Sequence, residues 1–169
     1  MNTSLVLTIL GPDRTGLVGA VADAVAQHGG SWQESRMARL AGQFAGILRV
    51  ACPAENREAL EGALKALGER GLTVMIAHDR SSEESPGSTL TLDITGHDEP
   101  GILKRIAQTF ASLGVNVEEL HTFLESAPMA GHLLFCTRGK VRLPDTLSAA
   151  ELIEALEKVG ADLTVDVQS

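Results

Sequence analysis

Apolar and polar positions along the chain follow two periods, and the same succession of periods occurs twice. Leu5-Val6-Leu7-Thr8-Ile9-Leu10 and Thr89-Leu90-Thr91-Leu92-Asp93-Ile94 are alternating or broadly apolar runs, each read as a short strand. The period then lengthens. Leu17, Val18, Val21 and Val25, like Ile102, Leu103, Ile106 and Phe110, recur at helical spacing and predict a helix with one apolar stripe. Gly29-Gly30 and Gly114 supply stop signals of the left-handed kind that commonly ends a helix. Two strands are predicted next in each copy, near 31–40 and 43–51, then near 115–124 and 131–140. Ala41-Gly42 forms the corner of the first pair, while the corner at 126–130 is longer and looser. A second helix follows, 56–70 and 148–159, with Asn56 and Ser148 as capping candidates. Each copy closes on a strand, 72–77 and 163–167.

The order β-α-β-β-α-β, twice, predicts an α+β protein of two ferredoxin-like units, each an antiparallel sheet with both helices on one face. The expected boundaries are 1–79 for the first domain, 80–88 for a polar Pro- and Gly-punctuated linker, and 89–169 for the second domain. Duplication is legible residue by residue. Gly11 and Gly96, and Gly16 and Gly101, are both 85 apart, and this spacing is expected to run through Gly46/Gly131 and Leu48/Leu133. Leu60, Leu64 and Leu67 then match Leu152, Leu156 and Val159 at 92, and Leu72 matches Leu163 at 91, which implies a small insertion. One sheet face per copy is left uncovered. Covering it calls for the other copy, a second chain or a ligand, so pairing of the modules or a homo-oligomer is expected.

Composition narrows the partners. Acidic residues outnumber basic ones 22 to 14, the net charge is −8, and Trp32 and four Phe are the only aromatics, so direct nucleic-acid binding is not expected. The opening Met1-Asn2-Thr3-Ser4-Leu5 lacks a basic region followed by an apolar one, and no apolar run approaches the roughly 18 residues of a membrane span. A cytoplasmic protein is expected, with no membrane partner. Cys52 and Cys136 lie late in strand-like runs at near-equivalent places and read as reduced core thiols.

The repeated loops carry the candidate chemistry. Gly11-Pro12-Asp13-Arg14-Thr15-Gly16-Leu17 and Gly96-His97-Asp98-Glu99-Pro100-Gly101-Ile102 each join a strand to a helix whose first N–H groups have no partner within the helix. A carboxylate suits those donors, and Asp13, Asp98 or Glu99 can accept from an ammonium group, which together describe a free α-amino acid. The alternative is that Asp13 and Asp98 only cap the helices and the glycines only serve the turn. A nucleotide is not expected, because the Gly-x-x-x-x-Gly lacks the Lys-Ser/Thr of a phosphate-binding loop. Of His28, His78, His97, His121 and His132, none recurs in the other copy. His121 and His132 with Glu118 or Glu119 are the one conceivable metal set, and with it a small metal-dependent enzyme, although an ordinary polar strand surface accounts for them. No catalytic residues, cofactor or metal are expected.

This loop and order resemble the ACT domain, the small-molecule-sensing module of amino-acid metabolism. More narrowly, Gly11-x-Asp13-Arg14-x-Gly16-Leu17-Val18 followed by Glu34-Ser35-Arg36-Met37-Ala38-x-Leu40-x-Gly42-x-Phe44 is similar to the tandem subgroup of glycine cleavage system transcriptional repressors. The resemblance implies a non-catalytic regulator that senses glycine or a similar small amino acid and acts through a protein partner such as a transcriptional activator. A related reading is an ACT-type regulatory subunit of an amino-acid metabolic enzyme. Carried onto this sequence, the ligand loops fall on Asp13, Arg14, Thr15, Gly16 and Leu17, and on His97, Asp98, Glu99, Pro100, Gly101 and Ile102, with Ser31 and Asn116 opening the facing strands. Thr15 stands where the family often has proline, which Pro100 retains. The two loops also differ in charge, Asp13-Arg14 against Asp98-Glu99, so unequal binding is expected.

Overall fold

In a computed structural model that describes residues 1–80, 86–126, 133–160 and 162–168, the two periods become two four-stranded antiparallel sheets. The first contains β1 (Asn2–Pro12), β2 (Ser31–Leu40), β3 (Gln43–Pro53) and β4 (Thr73–His78) in the order β2-β3-β1-β4. Helix α1 (Leu17–Gln27) joins β1 to β2, and α2 (Arg57–Ala66), extended by a 3-10 turn (Leu67–Arg70), joins β3 to β4. The second contains β5 (Ser88–His97), β6 (Asn116–Ser126), β7 (Leu133–Leu143) and β8 (Thr164–Gln168) in the order β6-β7-β5-β8, with α3 (Ile102–Ser112) and α4 (Ala149–Glu157). The chain divides into two units, Met1–Glu83 and Glu84–Ser169, each with the ferredoxin-like arrangement. Most of the expected 80–88 linker, His132 and the corner at 127–130 lie outside the described residues.

Each core forms where the strand and helix periods meet. In the first unit Leu5, Leu7 and Ile9 of β1 and Leu48, Val50 and Cys52 of β3 pack with Leu17, Val21 and Val25 of α1 and with Leu60 and Leu64 of α2. Leu92 and Ile94 meet Ile102, Ile106, Phe110, Leu152 and Leu156 in the second. The predicted stripe needs one correction in each copy. Val18 is 44% exposed and Leu103 36% exposed, because each is one residue, about 100° of helix, past the core-facing Leu17 or Ile102.

Local signals explain most element ends. Ala41 and Gly42 have φ of 48° and 79°, the two left-handed residues that a tight two-residue hairpin requires. Gly29 and Gly114 turn left-handed after α1 and α3. Ser148 caps α4 in a reciprocal box with Glu151. Asn56 does not cap α2: its Nδ2 donates to the His28 carbonyl at 2.9 Å, tying the start of α2 to the end of α1 instead.

Strand register corrects the repeat. Leu7 pairs with Leu48, whereas Leu92 pairs with Gly139, so Gly139 and not Leu133 is the counterpart of Leu48, and the separation on this strand is 139 − 48 = 91. By the same rule Ile9 faces Gly46 and Ile94 faces Thr137, which removes the Gly46/Gly131 match. Strand β6 keeps the separation of 85, since Ser35 faces Leu48 and Leu120 faces Gly139. The six extra residues therefore fall between β6 and β7. Six is even, so the insertion leaves every alternation intact, and polarity patterns alone do not detect it. The cysteines lose their equivalence too. Cys52, opposite Thr3, lies in the helix-covered core, where burial pushes its thiol pKa up, while Cys136, opposite Thr95, lies on the other face of the second sheet.

Candidate functional site

The two glycines of each repeated loop answer different demands. A Cβ on Gly11 would lie 2.7 Å from the Gly71 carbonyl oxygen, and one on Gly96 would lie 2.9 Å from Leu163 Cδ1, so these first glycines let the segment before β4 or β8 approach β1 or β5. Gly16 and Gly101 have φ of 91° and 86° and immediately precede α1 and α3. A Cβ there would meet nothing within 4 Å, so their requirement is left-handed backbone rather than space. Asp13 N donates to the Gly42 carbonyl at 2.8 Å and Asp98 N to the Leu133 carbonyl at 3.0 Å, which pins each loop to the neighbouring hairpin. Neither aspartate caps a helix. Gly16 and Gly101 hold the cap positions, with no side-chain cap bond.

In the first unit Arg14, Thr15, Gly16 and Leu17 line a concavity of about 150 Å³ with Leu67, Arg70 and Leu72. Arg14 Nη2 donates to the Arg70 carbonyl across its mouth. Asp13 is not part of the lining, because its carboxylate is held by Arg39 Nε on β2. Arg70 was not among the expected residues. It lies 56 positions from Arg14 and ends the 3-10 turn, with no motif of its own.

In the second unit His97, Glu99 and Ile102 line a concavity of about 220 Å³ with Gly160, Asp162 and Leu163. Glu99 pairs with Arg105 of α3, and its carbonyl accepts from Ile102 N at 3.2 Å. Asp98, Pro100 and Gly101 shape the loop without lining the cavity, and Asp162 joins it unannounced by the sequence. The two cavities share a place in the fold but not a charge: arginines line the first, Glu99 and Asp162 the second.

Ser31 and Asn116 do not complete these cavities in their own units. Ser31 pairs with Ala51, which pairs with Ser4, whereas the first loop leaves β1 at Pro12. Eight residues of strand separate those levels, about 26 Å. Asn116 pairs with Arg142, opposite Thr89, at the same distance from the loop after His97. A helix starting beside the loop and returning along the sheet necessarily delivers the next strand at the far end.

Of the other candidate constellation, His132 lies outside the described residues, and His121 and Glu118 are engaged elsewhere. His121 packs edge-on against Phe123 with ring centroids 5.6 Å apart, and Glu118 binds Arg142 at 2.7 Å and Lys140 at 3.8 Å. Among the described residues no group of three His, Cys, Asp or Glu is arranged to hold a metal, and no helix is long and apolar enough to cross a membrane.

Comparison with known proteins agrees with this fold. The family model of the ACT domain matches residues 3–76, which run from β1 into β4. The crystal structure of an unknown protein from Galdieria sulphuraria is 30% identical, covers 99% of this chain and 98% of its own, and has a TM-score of 0.83. A crystal structure provisionally assigned as a glycine cleavage system transcriptional repressor is 20% identical, covers 99% and 97%, and has a TM-score of 0.71, which shows the same fold over both units. No curated protein matches the chain.

Proposed function

This chain belongs to the ACT-domain family as two such modules in tandem, and from that premise we propose that it is a non-catalytic regulator that responds to glycine or a similar small amino acid. The observation that carries the reading is the recurrence of a cavity where a left-handed glycine opens a helix, in both units and at the same place in the fold. The α-carboxylate would lie against first-turn N–H groups, and in the second unit Asp162 supplies an acceptor for the ammonium group, beside a Glu99 already paired with Arg105. The first cavity is lined by no histidine or carboxylate that could act as a general base, which supports sensing over turnover there.

The output is a protein contact in the cytoplasm. A chain of net charge −8 repels a phosphate backbone, so control of transcription would pass through a partner protein such as an activator. Self-association belongs to this reading, through the outer face of the first sheet. A thermal-shift panel of the twenty amino acids tests it. A ligand at 100 times its Kd adds about 2.7 kcal/mol, a midpoint rise of roughly 5–10 °C at this size. A folded protein whose midpoint no amino acid moves would remove the proposal. Affinity capture with and without glycine then separates a transcriptional activator from a metabolic enzyme as the partner.

A further inference from the structure

The charge difference between the cavities reaches further than unequal affinity. In the first unit Arg14 and Arg70 are the charged residues of the lining, and no carboxylate joins them. Of the acids adjacent in sequence, Asp13 is taken by Arg39 and Glu69 is not part of the lining. Arg14 is held by the Arg70 carbonyl, and the Arg70 guanidinium has no ion-pair partner among the described residues. In the second unit Ile102 N already donates to Glu99, whereas among the described residues the matching Leu17 N has no such bond. The first cavity thus offers guanidinium and amide donors for an anion beside Leu17, Leu67 and Leu72, and no carboxylate to offset an ammonium group.

Accepting the reading that these loops are ligand sites, we propose that the first unit takes a small carboxylic acid without an ammonium group, a 2-oxo or 2-hydroxy acid, while the amino acid goes to the second. An amino acid in the first cavity would set its ammonium group beside two guanidinium groups with no acid to offset them, whereas its deaminated counterpart keeps the carboxylate and drops the conflict. Size agrees. A concavity of about 150 Å³ has room for a short acid. Arginine can pair bidentately with a carboxylate or a phosphate, so the preference for the acid over inorganic phosphate comes from its carbon chain lying against Leu17, Leu67 and Leu72. A protein built this way reports on both members of an amino acid and oxo acid pair.

Calorimetry on the full chain at fixed ionic strength tests this with pyruvate and alanine, which differ only at C2, and with inorganic phosphate as a third probe. The expected result is pyruvate binding that Arg70→Glu weakens at least tenfold, Arg70→Lys weakens less, and Asp162→Asn leaves unchanged, with phosphate at least tenfold weaker than pyruvate. Alanine binding should weaken with Asp162→Asn and not with Arg70→Glu. Arg70 is exposed, so the far-UV spectrum and unliganded midpoint of its variants should match the parent. Pyruvate binding indifferent to Arg70→Glu, phosphate binding as tight as pyruvate, or alanine binding lost with Arg70→Glu would each overturn the proposal. If an amino acid raises the midpoint but pyruvate gives no heat, the proposal falls and the sensor reading stands. Should pyruvate bind through Arg70 while no amino acid moves the midpoint, the amino-acid reading falls with the second-unit half of this proposal, and the first-unit half stands.

Discussion

Arg14 donates from Nη2 to the backbone carbonyl of Arg70, so the loop after β1 is tied to the last turn before β4 by one side chain and one main-chain acceptor. The asymmetry separates fold from binding. Arg14→Met removes the donor and should cost about 1 kcal/mol, a fall of roughly 2–4 °C in the unfolding midpoint. Arg70→Met keeps the carbonyl and should leave the midpoint in place. Equal losses from both changes would show that the two side chains, and not the carbonyl, matter to stability.

Four glycines that look alike in sequence should respond differently to alanine. At Gly16 and Gly101 the added methyl meets open space but must adopt a left-handed backbone, for about 1–2 kcal/mol each. Asparagine there should cost less, since it tolerates that conformation. Gly11→Ala forces a Cβ onto the Gly71 carbonyl, a backbone atom that cannot turn aside, whereas Gly96→Ala meets the end of the Leu163 side chain. Thermal unfolding of the four variants should therefore rank Gly11→Ala as more damaging than Gly96→Ala, with both Gly16 and Gly101 rescued in part by asparagine.

The capping box of α4 predicts a pH dependence of known sign. Ser148 Oγ and Ser148 N both donate to Glu151 Oε2, at 2.7 and 2.9 Å, and hold the Glu151 carboxyl below its usual pKa. A carboxyl whose pKa is depressed on folding contributes stability above its unfolded pKa and loses it as pH falls through the folded one. Ser148→Ala should lower the stability of the second unit by about 1 kcal/mol at neutral pH. The gap between Glu151→Gln and the parent should narrow as pH drops below the carboxylate range. A gap that widens on acidification would contradict the assigned sign.

The fold was legible because its signals are local and periodic. Two-residue alternation, helical spacing, Ala41-Gly42, Ser148 and the doubled loop each depend on neighbours a few positions away, and each appears in the structure. What failed depended on distance. Asn56 looks like a cap, but its amide instead donates to the His28 carbonyl, and the even insertion before β7 shifts register without disturbing polarity. The candidate cavities combine both kinds of information. Arg14 to Leu17 could be expected from the loop, whereas Arg70 and Asp162, which decide the charge of each cavity, come from segments brought there by β4 and β8.

The outer faces of the two sheets differ at matched positions, and this predicts where copies of the chain meet. Thr8 of β1 is flanked by Ile47 and Met75, 56% and 67% exposed, while its counterpart Asp93 is flanked by Arg138 and Asp166. Arg138 Nε donates to Asp93 at 2.7 Å and Gln168 Nε2 at 2.9 Å, so that row is content in water. The apolar row gains about 25 cal/mol for each Å² it hides, and a second copy can hide it. Ile47→Lys with Met75→Lys should therefore lower the sedimentation mass of the full chain. Because neither side chain belongs to the core, the unfolding midpoint should change by no more than the equivalent of about 0.5 kcal/mol once extrapolated to low concentration. Arg138→Ala should leave the mass alone. A parent chain that sediments as a monomer at every concentration would end the self-association proposal, and an oligomer that survives the double lysine variant would move it to another surface.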